Sequence, residues 1–134
     1  MHDQMPASTL TLLPLCLAVC GLPAAAPIPA WATAGAFFSV TRSADELSII
    51  CPEAQLPAGG LPADMQHTPG WACLKVEGPF DFSVTGVLSA LVTPLAEAGV
   101  PCLAVATYQT DYLLVQTAHL PAALAALRAA GHRV

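Results

Sequence analysis

Charge is what this chain has least of. Only 10% of its 134 residues are Asp, Glu, Lys or Arg, and the basic share is four residues against nine acidic ones. Four scattered cations and a net charge of −5 cannot supply the Lys/Arg cluster that neutralises a phosphate backbone, so nucleic acid is excluded as a partner. Aromatics are also sparse, and Trp31 and Trp71 read as core or interface anchors rather than stacking platforms. The cysteines, at 16, 20, 51, 73 and 102, are odd in number and include no CxxC pair. They therefore fit neither a disulfide framework nor a zinc site and read as reduced core residues; no metal or cofactor is expected. There is no GxSxG, P-loop, HExxH or strand-borne GxGxxG. His67 and His119 are isolated, and pairing His67 with Cys51 or Cys73 has no support from spacing. No reaction is indicated, so the chain reads as a non-enzyme.

What the sequence does have is apolar residues, 55% of the total, enough for a buried core and far from the profile of a disordered segment. With so few charges to solvate the surface, self-association is expected, most simply as a homodimer. No charged residue occurs between Asp3 and Arg42, and Thr9 to Leu22 followed by Ala24-Ala25-Ala26 imitates a secretory signal. The preceding residues carry Asp3 and no cation, and Pro14, Pro23, Pro27 and Pro29 break the run well short of the ~20 residues of a spanning helix. The expectation is a cytoplasmic chain that does not enter the membrane.

The second half is patterned most plainly. Trp71 to Gly78 alternates Ala72, Leu74 and Val76 against Cys73, Lys75 and Glu77, as a half-buried strand does. After the Gly78-Pro79 step, Ser83 or Thr85 can cap a helix whose stripe is Val87, Leu88, Leu91, Val92 and Leu95, with Pro94 inside and Gly99 closing it. Pro101 to Thr107 and Tyr112 to Gln116, joined by a short polar connection, predict an antiparallel hairpin. Pro121 suits the first turn of a last helix with Leu120, Leu124 and Leu127 on its buried side, ended by Gly131. Arg128, His132 and Arg133 supply cationic character near its negative end, and His132 to Val134 can begin a further strand. The order βαββα(β) is the split βαβ sandwich of the α+β class, an antiparallel sheet with helices on one face.

The first half repeats this plan. Thr41 to Asp45 followed by Leu47 and Ile49 aligns with Thr107 to Asp111 followed by Leu113 and Val115. On that register Thr9 to Leu17 is the opening strand, and Ile28 to Ala34 replaces the first helix. The expected organisation is a helix-poor repeat over residues 1–55, a Pro/Gly linker over 56–69, and a second repeat over 70–134.

The segments Phe38 to Ile49, Lys75 to Ser83 and Thr107 to Val115 resemble the stand-alone bacterial ACT-domain proteins, which are similar to the tandem ACT halves of the eukaryotic CASTOR arginine sensors and to the regulatory domains of aspartate kinases. The resemblance implies tandem ACT units of the ferredoxin-like βαββαβ kind and a regulatory module that binds an amino-acid effector where such units pair. It implies that the loop Asp81, Phe82, Ser83, Val84, Thr85 and Gly86 wraps the ligand, and that Thr107, Tyr108 and Asp111 form the facing wall. In the arginine sensors an acid matching Asp111 meets the ligand's cationic end; the other acid of that loop is replaced here by Val84, so arginine itself is not implied.

Chemistry gives a compatible picture without the family. A Gly-Pro turn leading into a helix N-terminus presents free N–H groups and a positive dipole end to a carboxylate. Asp81 and Asp111 can receive an ammonium, so the pair of features matches a zwitterion. Against this, Ser83 or Thr85 can merely cap the helix and Asp111 merely shape a turn, as Asp45 does in the first repeat. The alternative to an effector site is a structural module that dimerises through its sheet and needs no ligand.

Overall fold

A computed structural model describes residues 7–78 and 85–134. The strands are β1 (Leu10–Leu12), β2 (Leu17–Leu22), β3 (Ser39–Arg42), β4 (Leu47–Pro52), β5 (Gln66–Val76), β6 (Leu103–Ala106) and β7 (Asp111–Gln116). The helices are α1 (Val87–Glu97) and α2 (Leu120–Ala129). The chain divides into two units: Leu15–Trp71, called the first, and residues 7–14 with Ala72–Val134, called the second. β5 gives its opening residues to the first unit and its closing residues to the second.

In the first unit β3, β4, β2 and the start of β5 lie side by side, all antiparallel. β4 alternates strictly, with Leu47, Ile49 and Cys51 buried and Ser48, Ile50 and Pro52 half-buried. That alternation puts one face on a core shared with Ala18, Cys20, Leu22 and Ala32. The helical elements here are single 3₁₀ turns, Ala30–Thr33 and Glu53–Gln55. Prolines 27 and 29 ahead of the first explain its brevity, since they remove the N–H donors a longer helix would use.

In the second unit β1, the end of β5, β7 and β6 are adjacent. Leu10, Ala72, Leu74, Val76, Leu113 and Val115 face α1 and α2, which contribute Val87, Leu91, Leu95, Ala123 and Leu127. Leu91, Leu95 and Leu127 are fully buried, and each such side chain contributes roughly 1.5–3 kcal/mol relative to exposure. Both helices thus cover one face of an antiparallel sheet, as the sequence predicts.

Several expectations are corrected. The N-terminal run is not the first repeat's opening strand: β1 pairs with β5 (Leu10 opposite Val76, Leu12 opposite Leu74) and fills the fourth-strand place of the second unit. The first unit opens on β2 instead. The C-terminal segment expected to supply that fourth strand makes one parallel bridge, Thr9 to Arg133. The first unit extends through Trp71, and β5 begins at Gln66 inside the stretch read as linker. The hairpins correspond two residues away from the Thr41–Thr107 alignment: Arg42 and Leu47 flank one four-residue turn, Ala106 and Asp111 the other. A slip of two leaves the same face inward, which is why the burial pattern survived the misalignment.

The α1 cap also differs. Gly86, with φ 83°, stands at the N-cap, and no side-chain cap bond forms there. The left-handed backbone selects glycine over a hydroxyl residue. Ser83 lies outside the described residues, as do Asp81, Phe82 and Val84.

Candidate functional site

The β6–β7 hairpin is built to hold its turn rigidly. The Thr107 N–H and hydroxyl both donate to the Thr110 carbonyl, at 2.9 and 2.7 Å, and the Thr110 N–H returns a bond of 3.3 Å to the Thr107 Oγ1. Thr110 is buried, and its own hydroxyl donates to the Val76 carbonyl at 2.6 Å. Two polar groups that would otherwise be buried without partners satisfy one another, and the turn is fastened to the last residue of β5. Asp111 follows as the first residue of β7, half-buried and opposite Ala106. Tyr108, 82% exposed, stands at the tip.

Of the residues expected at the site, the structure brings Thr107, Tyr108 and Asp111 together on this hairpin and ties them to the strand end from which the β5–α1 connection departs. Thr85 and Gly86 stand at the other end of that connection, exposed, where α1 begins. The first N–H groups of α1 have no intrahelical partners and carry the positive end of the helix dipole. Asp81, Phe82, Ser83 and Val84 belong to the connection and lie outside the described residues.

Sequence reasoning passed over Thr110. The alternation that buries Leu114 and half-buries Tyr112, extended two residues back, reaches it. His132 was read as a cationic helix-end residue, and the structure corrects this. Its ring is buried, its Nδ1 accepts the Ser8 N–H at 3.0 Å, and its Nε2 lies 2.9 Å from the Ala90 carbonyl. Nδ1 as acceptor and Nε2–H as donor describe a neutral imidazole with a structural role. Arg128 does stand in the last turn of α2, as expected, and its guanidinium donates to the Val134 carbonyl beyond the helix at 3.2 Å.

The cysteines are free thiols. Burial pushes Cys20 and Cys73 up to about 11, away from the thiolate a nucleophile or metal ligand needs. Cys16 is exposed, and its hydrogen bond to the Glu53 carboxylate raises it as well. Among the described residues no group of three or more His, Cys, Asp or Glu could hold a metal ion. No helix among them is long and apolar enough to cross a membrane.

The first unit runs strand, helical element, hairpin, helical element, strand. In the second the end of β5, α1, the β6–β7 hairpin and α2 follow in the same order, and β1, from earlier in the chain, takes the fourth-strand place, so the two make a tandem pair of ferredoxin-like units. The ACT-domain family model matches residues 66–129, and a second model, of an N-terminal domain, matches residues 16–59. The chain is similar to protein Atu0741 from Agrobacterium tumefaciens, with 38% identity and a TM-score of 0.85 over 96% of this chain and 92% of that one. It is similar in fold to VC0802 from Vibrio cholerae, a protein of unknown function (19% identity, TM-score 0.69, 90% and 88% covered). It is similar in fold, too, to the regulatory subunit of aspartate kinase from Thermus flavus (15% identity, TM-score 0.62, 96% and 99% covered). The chain shares a family with Atu0741, and its residues 66–129 are an ACT domain.

Proposed function

We propose that this protein is a non-catalytic regulatory module of the cytoplasm that binds an amino acid on its second unit and acts as a homodimer. The observation that carries the reading is the braced hairpin, whose Thr110 hydroxyl fastens the turn ahead of Asp111 to Val76, the last residue of β5, within an ACT domain. In this reading Thr107, Tyr108 and Asp111 form one wall, with Asp111 taking the ligand's ammonium or other cation by a charge-assisted hydrogen bond. The opposite wall is the connection Asp81, Phe82, Ser83, Val84, Thr85 and Gly86, where the α1 N-terminus favours the ligand's carboxylate. The regulatory-subunit likeness supports a role in sensing rather than in chemistry.

A second reading, a structural dimerisation module, draws on β6. This strand ends the sheet, carries no charge, and exposes Leu103. An uncharged edge strand is a ready template for pairing with a second copy.

A thermal-shift screen of the purified protein against the twenty amino acids separates the two. A ligand at a hundredfold excess over its dissociation constant stabilises the folded state by about 2.7 kcal/mol, which moves the melting temperature by several degrees. A shift confined to one chemical class and lost in Asp111→Ala supports the sensor. A flat screen on folded protein overturns it and leaves the dimerisation module.

A further inference from the structure

The first unit carries a contact at the place in its fold that corresponds to the proposed effector site. Arg42 closes β3, just ahead of the hairpin turn, and its guanidinium reaches back to the connection between β2 and the Ala30–Thr33 turn. Nη1 donates to the Ala24 carbonyl, and Nη2 donates to the Ala26 carbonyl at 2.7 Å. The connection also makes a turn of its own, in which the Ala26 N–H donates to the Pro23 carbonyl at 3.0 Å. Its sequence, Pro23 to Pro29, contains only Pro, Ala and Ile, so the polar groups it can offer are backbone ones. Two of its carbonyls converge on a single cation. Among the described residues Arg42 is paired with no carboxylate, so the loop carbonyls are what hold it.

The shape of the donor matters. A guanidinium is a planar fork that can serve two acceptors at once, whereas an ammonium is a point charge. Arg42 is exposed, so the seat opens to solvent. In the second unit the corresponding hairpin position is Ala106, which brings no cation.

We propose that the β2 connection of the first unit is a carbonyl-lined seat for a guanidinium group, filled by the chain's own Arg42 and thereby closed to external ligands. Resting on the proposed function, the consequence is that each chain binds effector on the second unit alone, where the hairpin supplies no cation of its own.

The test is chemical rescue of Arg42→Ala by millimolar ethylguanidinium, read by melting temperature and by amide resonances of residues 24–28. The variant should melt a few degrees below wild type and recover saturably with ethylguanidinium, but not with sodium chloride at equal ionic strength. The loop resonances should move back towards their wild-type positions, and wild type itself should not respond. A variant that keeps wild-type loop resonances, or that shows no saturable response, overturns the seat. If Arg42→Ala does not fold, Arg42→Lys decides. Its single ammonium should displace the loop resonances while leaving those of Ser48 and Ile50 unchanged, and a Lys variant indistinguishable from wild type overturns the fork. The rescue uses no effector, so a flat amino-acid screen leaves it interpretable. Where the screen does find an effector, two bound per wild-type chain would overturn the closed first unit.

Discussion

His132 joins parts of the second unit that are far apart in sequence. Removing its ring leaves the Ser8 N–H and the Ala90 carbonyl without their partners, and each buried orphan costs about 1–3 kcal/mol. Urea denaturation of His132→Ala should therefore show a loss of at least about 2 kcal/mol, and amide exchange should show the N-terminal segment released first. The thiols give a pH prediction. Burial holds Cys20 and Cys73 up at about 11, so the native state keeps protons that the unfolded chain releases from about pH 9. The stability they contribute is complete below that pH and is lost as pH rises towards 11, which melting curves from pH 8 to 11 should show. At pH 8 a thiol reagent should label exposed Cys16 first and leave Cys20, Cys51 and Cys73 unreacted until unfolding. At this scale the sequence was legible for Cys20, Cys51 and Cys73, which are buried in the core as expected, and misleading for Cys16, which is exposed. It was misleading for His132, because a histidine after a helix looks the same whether its partner is a dipole or a backbone N–H 124 residues away.

Hairpins and helices were the most readable elements, because their signals are local. The β6–β7 pairing and α2 follow from strand alternation and from the leucine spacing after Pro121. The bond that makes the hairpin useful, Thr110 to Val76, spans 34 residues and leaves no local trace. Thr110→Val keeps the shape and removes the hydroxyl. It should cost about 1 kcal/mol in stability and weaken effector binding beyond that loss, as a titration at fixed temperature would show. In the first unit Gly35 adopts φ 95°, and a Cβ there would lie 2.8 Å from the Pro52 side chain. Gly35→Ala should destabilise the protein by more than the usual benefit of replacing glycine, about 0.4–1 kcal/mol, with the opposite sign. Denaturant midpoints compare the two directly.

For the whole molecule, composition and periodicity were enough to reach two ferredoxin-like units, and topology was where they stopped. β1 reads equally well as a strand of either unit, since apolar alternation says which face is buried and nothing about which neighbour lies alongside. Leu10 is buried in the second unit's core. An unpaired carboxylate there is among the largest single-residue penalties. Leu10→Asp should therefore abolish exchange protection at Leu91 and Leu113 while that at Leu47 and Ile49 in the first unit persists. Had residues 1–55 formed one unit, the loss would fall on the first unit instead.

The placement of β1 also sets an order of events during synthesis. Residues 10–12 are made before the strand they pair with, β5, and before the helices that cover Leu10. Leu15–Trp71, by contrast, pairs β3 with β4, β4 with β2 and β2 with the start of β5 within its own span. A nascent chain can thus complete the first unit while β1 waits as an unpaired apolar strand, and only the final helix, α2, lets the second unit close around it. Chains stalled or truncated before Leu120 would present that strand to other chains, so premature termination should yield aggregates rather than a free-standing first unit.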